Sequence, residues 1–202
     1  MEINSEDEGK VLDLVKNSMG GDVEVKGVKG INPLVRVVGV DEDEKDESIC
    51  EEIWARNFES SYKKEEWMEN VKVVGSMKVR NAREKTVLPR VSSRVRGDMI
   101  ERENVYIGWR RSVVKDYVEV YMCYKCCGYG HSGKECKREA VCHKCGEKRH
   151  LRKDCKSEVT RCPNCIRGKQ PAEHAVNSKG CPIFEREMVY QVRKTEWSTN
   201  EV

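Results

Sequence analysis

Cys123, Cys126, His131 and Cys136 follow the spacing CxxC, four residues, His, four residues, Cys, and Cys142, Cys145, His150 and Cys155 repeat it without an offset. Thiolates and neutral imidazoles are the donors of a tetrahedral zinc ion: a CxxC turn brings two sulfurs to one ion, and the short return to His and Cys closes the shell. Neither window carries enough apolar surface to fold alone. A structural zinc site supplies about 10–16 kcal/mol of apparent binding free energy in finger peptides, so the metal takes the place of a core and the windows are expected to be unfolded without it. A third, looser set follows at Cys162, Cys165, His174 and Cys181, with eight and then six residues in the inner intervals. It is expected to hold a third Zn2+, although its long inner loop, "IRGKQPAE", departs from the compact pattern. The three sets use nine of the eleven cysteines and leave Cys50 and Cys127. Cys127 could exchange with Cys126 as a ligand, but the match of its neighbours to the repeat favours a spare small residue.

The charge is unevenly spread. Residues 1–50 carry 6 basic and 13 acidic side chains, a net −7, whereas residues 123–182 carry 14 and 6, a net +8. Three thiolates and one neutral imidazole around a dication leave −1 per site, so three filled sites would lower that +8 to about +5. A basic block of this kind attracts a polyanion, most commonly nucleic acid. Lys125, Lys134, Lys137, Arg138, Lys144, Lys148, Arg149, Arg152 and Lys153 crowd the first two loops, and binding through them should weaken steeply with salt. Tyr124 directly follows the first ligand and Tyr129 lies two residues before His131; unpaired bases stack on such rings for about 1–3 kcal/mol each. His143 occupies the slot of Tyr124 in the second copy. Base contact is favoured over loop packing for Tyr124, and the two readings stand level for Tyr129 and His143. The candidate nucleic-acid contacts are therefore Tyr124, Lys125, Tyr129, His143, Lys144, Lys148, Arg149 and Arg152. A duplex hides base faces, so single strands, RNA or DNA, are the expected partner.

The CCHC pair resembles the zinc knuckles of retroviral and retrotransposon Gag proteins. Three in tandem, the last one long, look like the Gag-like first reading frame product of non-LTR retrotransposons. The likeness extends upstream, where "RENVYIGWRRSVVKDYVEVYMCYKC", 102–126, resembles the run from the last strand of a small domain into the first knuckle. It covers about residues 31–182. The resemblance implies binding of the element's own RNA and assembly of a ribonucleoprotein. Cys127 stands where such knuckles carry a glycine after the second ligand, and Arg149 where they carry one before the histidine.

These donors need elements to present them. "PLVRVVGV", 33–40, reads as a strand; "SICEEIWARNF" sets Ile49, Ile53, Trp54 and Phe58 on one helical face, with Ser48 and Glu51 as a capping box. "VKVVGSMKV", 71–79, and "KTVLPRV", 85–91, read as a hairpin, "SSRVRGDMIERE" as a helix begun by Ser93, and "NVYIGW" with "SVVKDYVEVYM" as closing strands. The expected fold class is α+β: an RRM-like (ferredoxin-like) βαββαβ domain over 31–121, followed by three tandem CCHC zinc knuckles over 122–182. An acidic segment, 1–30, precedes it, with a short helix at 6–19, and a tail, 183–202, follows as an amphipathic helix. No segment matches the RNP1 consensus and Pro89 falls in the third strand, so scaffolding or self-association, rather than direct RNA stacking, is the expected role of the sheet domain. Cys50, Trp54, Trp67 and Trp109 are expected in or near its core.

With 36% charged against 38% hydrophobic residues, one modest core is the ceiling. Apolar runs fall far short of a membrane span and the chain opens on acidic residues, so an intracellular protein of cytoplasm or nucleus, without membrane or small-molecule partner, is expected. Closed four-ligand sites leave no position for substrate or water, every histidine but His143 is committed to metal, and no nucleotide-binding loop appears; no enzyme is expected. A host zinc-knuckle RNA-processing or translation factor, and an adaptor with structural zinc only, are the alternatives.

Overall fold

The computed structural model describes residues 30–80, 82–148 and 150–197; the expected helix at 6–19 lies outside them. The described residues from Ile31 onward form one unit. Its first part is a five-stranded antiparallel sheet in the order β2-β3-β1-β5-β4, built from β1 (Leu34–Asp41), β2 (Val71–Lys78), β3 (Glu84–Val91), β4 (Asn104–Ile107) and β5 (Arg110–Tyr117). Between β1 and β2 lie helix α1 (Asp46–Ile53), a π-helical turn Trp54–Phe58 and helix α2 (Lys64–Asn70); α3 (Ser93–Arg102) joins β3 to β4.

Alternation along the strands decides which face is covered. Val35, Val37, Val40, Val87, Val91, Val105, Ile107 and Val114 point to one side and are buried there with Ile49 and Ile53 of α1 and Val95 and Met99 of α3. Trp67, fully buried, stacks on Phe58 with ring centroids 4.8 Å apart, and Tyr62 meets it edge-on at 5.5 Å. Its indole N–H donates to the Cys50 carbonyl at 2.8 Å, so the largest core side chain leaves no donor unpaired. Trp54, half-buried, donates likewise to the Tyr62 carbonyl.

The structure differs from the sequence expectation at three points and meets it at a fourth, Pro89 in an interior strand. Ser48 donates to the Lys45 carbonyl rather than capping α1, and Lys45 holds the cap position without a side-chain bond. Helix α2, unforeseen, exists because Trp67 is its one buried side chain and fastens it to the core. Pro89 lies inside β3, an interior strand; a register shift between Val73 and Gly75 on β2 sits next to its partner position, where the missing N–H would otherwise break the ladder. Trp109, expected near the core, is 97% exposed at the Gly108–Trp109 hairpin tip, because a two-residue turn points away from both layers.

The free edge of β4 is blunted from within. Asn57, buried on the π-helical turn, accepts from the Tyr106 N–H at 2.8 Å and donates to its carbonyl at 2.9 Å, standing in for a neighbouring strand.

Beyond β5 the chain runs through the cysteine-rich region and returns. Helices α4 (Pro163–Arg167) and α5 (Pro182–Lys194) start at the third set of donors, with Cys162 and Cys181 as their N-cap residues. After α5, Thr195 bridges Ile31, the Arg96 guanidinium lies 4.9 Å from the Trp197 ring, and Arg96 also grips Asp116 through two 2.7 Å bonds. The described tail is thus anchored at both ends. No helix among the described residues is long and apolar enough to cross a membrane.

Candidate metal centres

The structure gathers the predicted donors into three groups, Cys123, Cys126, His131, Cys136; Cys142, Cys145, His150, Cys155; and Cys162, Cys165, His174, Cys181, with the donor atoms of each group within 4.8 Å of one another. In each group the second cysteine sulfur faces the histidine Nε2, at 3.3, 3.3 and 3.4 Å. Zinc–sulfur and zinc–nitrogen bonds near 2.3 and 2.0 Å put donors roughly 3.5–3.8 Å apart around a tetrahedron. The third group shows sulfur–sulfur distances of 3.9 and 3.4 Å, far outside the roughly 2.0 Å of a disulfide. Three sulfurs and one nitrogen, mostly buried, make a closed site suited to a thiophilic dication.

Backbone geometry repeats as the spacing does. The Cys123 N–H donates to the Gly128 carbonyl and the Cys127 N–H to the Cys123 carbonyl; nineteen residues on, Cys142 and Gly146 do the same toward Glu147 and Cys142. Residue 127 has φ +59° and Gly146 has φ +77°. The turn after the second ligand needs a left-handed residue, which explains a glycine in the second copy and marks Cys127 as a strained substitute. Amides of Gly128 and Lys144 point at the Cys126 and Cys142 sulfurs, at 3.3 and 3.4 Å. His131 turns Nδ1 toward the Tyr129 carbonyl at 3.1 Å, which orients Nε2 for the metal.

The protonation pattern calls for a cation. Burial opposes ionisation of Cys123 and Cys142, yet backbone amides and neighbouring thiols bring both down to about 7. Burial, reinforced by the thiols beside them, pushes Cys145 and Cys165 up. In the first two groups one thiol ionises readily while a neighbour resists, and a bound dication favours the thiolate form of both.

Cys127 belongs to none of the three groups. It is fully buried, and burial pushes its thiol up to about 12. Its carbonyl accepts from Asn164 at 2.7 Å, and the Cys126 carbonyl accepts from Arg167 at 2.8 Å. Asn164 and Arg167 lie on α4 of the third knuckle, which is therefore docked on the first. Ile166, between them in sequence, fills the space beside Gly146 of the second, 2.6 Å from where a β-carbon would stand. The Arg161 N–H donates to the Lys144 carbonyl, the Val141 N–H to the Lys125 carbonyl, and His143 Nε2 lies 2.5 Å from the Tyr124 carbonyl. The knuckles form one packed unit. Asn164 and Arg167 carried no sequence signal, since nothing in "CPNCIR" announces a partner forty residues upstream.

The candidate nucleic-acid contacts fall into distinct settings. Tyr124 is 63% exposed and its ring lies against Gly133, where a β-carbon would come within 2.7 Å. Arg152 is exposed on a short 3-10 turn. Lys125 donates to the Cys136 carbonyl at 3.0 Å, Lys148 pairs with Glu139, and Lys144 is half-buried. Tyr129 is half-buried, its hydroxyl donating to Asn177 at 2.7 Å and its ring 6.2 Å from Phe184, so packing occupies it. His143 is engaged with the Tyr124 carbonyl, and Arg149 lies outside the described residues.

A mixed α/β sheet domain carrying three Cys3His groups is the class of protein that fold and site define. A comparison with curated proteins places beside it the "Uncharacterized 50 kDa protein in type I retrotransposable element R1DM" of Drosophila melanogaster, 29% identical over 153 residues. The match takes in 75% of this chain and 32% of that protein, so the chain spans about a third of the relative's length. No protein-family profile and no solved structure matches the chain.

Proposed function

We propose that this chain is a non-catalytic, zinc-dependent binder of single-stranded nucleic acid, of the Gag type encoded by retrotransposons, which packages element RNA into a ribonucleoprotein. The observation that carries the reading is the duplicated Cys3His turn in the segment of net +8 charge, with Tyr124 held flat and open beside its first ligand. The donor set suits zinc, the charge suits a polyanion, and an exposed ring of that kind suits an unpaired base rather than a duplex. Likeness to a protein of a retrotransposable element supports the Gag-type assignment. The sheet domain we read as RRM-like, on the strand order β2-β3-β1-β5 with helices after β1 and β3; its role is to position the zinc unit.

Native mass spectrometry with and without a short single-stranded oligonucleotide, repeated after chelation, tests the proposal. Three zinc ions per chain and an oligonucleotide adduct lost on chelation are expected. Tyr124→Ala should weaken the adduct about tenfold while leaving the metal count at three. Full metal loading with no single-strand binding would leave the adaptor reading, in which the zinc is structural only.

A further inference from the structure

The third Cys3His group departs from the other two where the chain leaves its second cysteine. In the first and second groups a left-handed residue comes one position after that cysteine, at Cys127 (φ +59°) and Gly146 (φ +77°). In the third it comes at Lys169 (φ +52°), four positions after Cys165. Helix α4 fills the interval and reaches across to the first group. Asn164 donates to the Cys127 carbonyl at 2.7 Å and Arg167 to the Cys126 carbonyl at 2.8 Å, and Arg167 also bonds the Asn164 side-chain oxygen and braces it. Between His174 and Cys181, Asn177 accepts from the Tyr129 hydroxyl at 2.7 Å. The residues gripped, 126, 127 and 129, all lie in the short run from Cys126 to His131.

These bonds join positions 37 to 48 residues apart, so they exist only while both groups are folded. A five-residue helix does not stand in water by itself; α4 is held because Cys162 and Cys165 converge with His174 and Cys181. The first group carries a non-glycine residue in the left-handed region where its twin has Gly146, a local cost that the buried Asn164 bond offsets. The second group meets the third differently, through the Arg161 N–H on the Lys144 carbonyl and Ile166 beside Gly146. The first bond repeats the junction of the Val141 N–H with the Lys125 carbonyl.

We infer that the third group is a clamp and not a third copy of the first two: with its metal in place it docks Asn164 and Arg167 on the first group, and the first and third sites keep their metal as a coupled pair. This rests on the zinc binding proposed above. Coupling between two sites is reciprocal, so whatever the docked third group adds to metal retention at the first site is returned to the third. The long interval after Cys165 makes room for the turn that carries Ile166 and Arg167.

Cys127 reports docking directly, because it is fully buried and belongs to no donor group. In the test, the full zinc-loaded chain meets a thiol-alkylating reagent during titration with chelator. Peptide mapping identifies the cysteines alkylated, and native mass spectrometry counts the metal. Cys162→Ser/Cys165→Ser removes two donors of the third site. In that variant Cys127 should be alkylated before chelator is added, and Cys123, Cys126 and Cys136 should be released at about tenfold lower chelator, with a smaller shift at the second site. Asn164→Ala/Arg167→Ala, with all twelve donors in place, should expose Cys127 and advance release from the first site in the same way. Combining the two pairs of substitutions should advance it no further. Release from the first site that Cys162→Ser/Cys165→Ser leaves unmoved, or moves as far with Asn164 and Arg167 replaced as with them present, would overturn the inference. So would an equal shift at the first and second sites. A wild type that carries no zinc would instead remove the metal-binding reading on which the inference stands.

Discussion

The sheet domain and the Cys3His unit solve the same problem by opposite means. In the former, Trp67, Ile49, Ile53, Met99 and a row of valines are withdrawn from water by packing between a sheet and three helices. In the first knuckle the buried cluster of Cys123, Cys126 and Cys136 consists of three of the four donor residues. One region is held by apolar area gathered from distant parts of the chain, the other by donor atoms converging within fourteen to twenty residues. The contrast teaches that solvent conditions acting on one should pass over the other, and it can be broken by measurement.

Chelation should have the largest effect. Removing the metals withdraws a stabilisation on the order of 10 kcal/mol or more per site, so limited proteolysis should open the chain between residues 123 and 181 while a fragment beginning near residue 31 and ending near β5 resists. Simultaneous collapse of both regions would show that α5 and the Trp197 anchor bind them into one cooperative unit, which erases the contrast. Next in size is Trp67→Ala, which empties the centre of the aromatic cluster and removes the indole bond to the Cys50 carbonyl. It should cost the sheet domain about 3–5 kcal/mol in denaturant unfolding, with the zinc count still three.

Asn164→Ala sharpens the comparison inside the zinc unit. It leaves the twelve donors intact but removes the buried bond to the Cys127 carbonyl, at a cost of about 1–2 kcal/mol, read as earlier release of metal from the first and third sites on titration with chelator. The second site, whose ligands Asn164 does not touch, should follow its wild-type curve. The smallest effect belongs to Asp46, whose carboxyl is held below its ordinary value by the hydrogen bond from Lys85. A lowered folded-state value means that its contribution is present above the ordinary carboxylate range and is lost as pH falls through the lowered one. With Asp46 partly exposed, that contribution is screened to about 0.5 kcal/mol or less. Asp46→Asn should slightly flatten the acid limb of sheet-domain stability and leave metal affinity unmoved.

Much of this was legible from residue order alone. The twelve donors could be named because each CxxC turn and its return close locally, so spacing is already geometry. The strands at 34–41, 71–78, 84–91, 104–107 and 110–117 and the helices at 93–102 and 182–194 follow from period-two and helical patterns. Helix α2 escaped because its amphipathic signal is a single tryptophan, and the failed capping box because Ser48 found the Lys45 carbonyl first.

What the chain alone determined, then, is which atoms could hold metal, where the charge lies and which segments extend or coil, since neighbours along the backbone settle these. Only the tertiary structure decided that β1 lies between β3 and β5, that Trp109 stands in solvent, and that Cys127 is buried under Asn164. Each of those depends on contacts between residues tens of positions apart, whose free energy comes from shared burial and complementary shape and leaves no periodic trace in either partner's sequence.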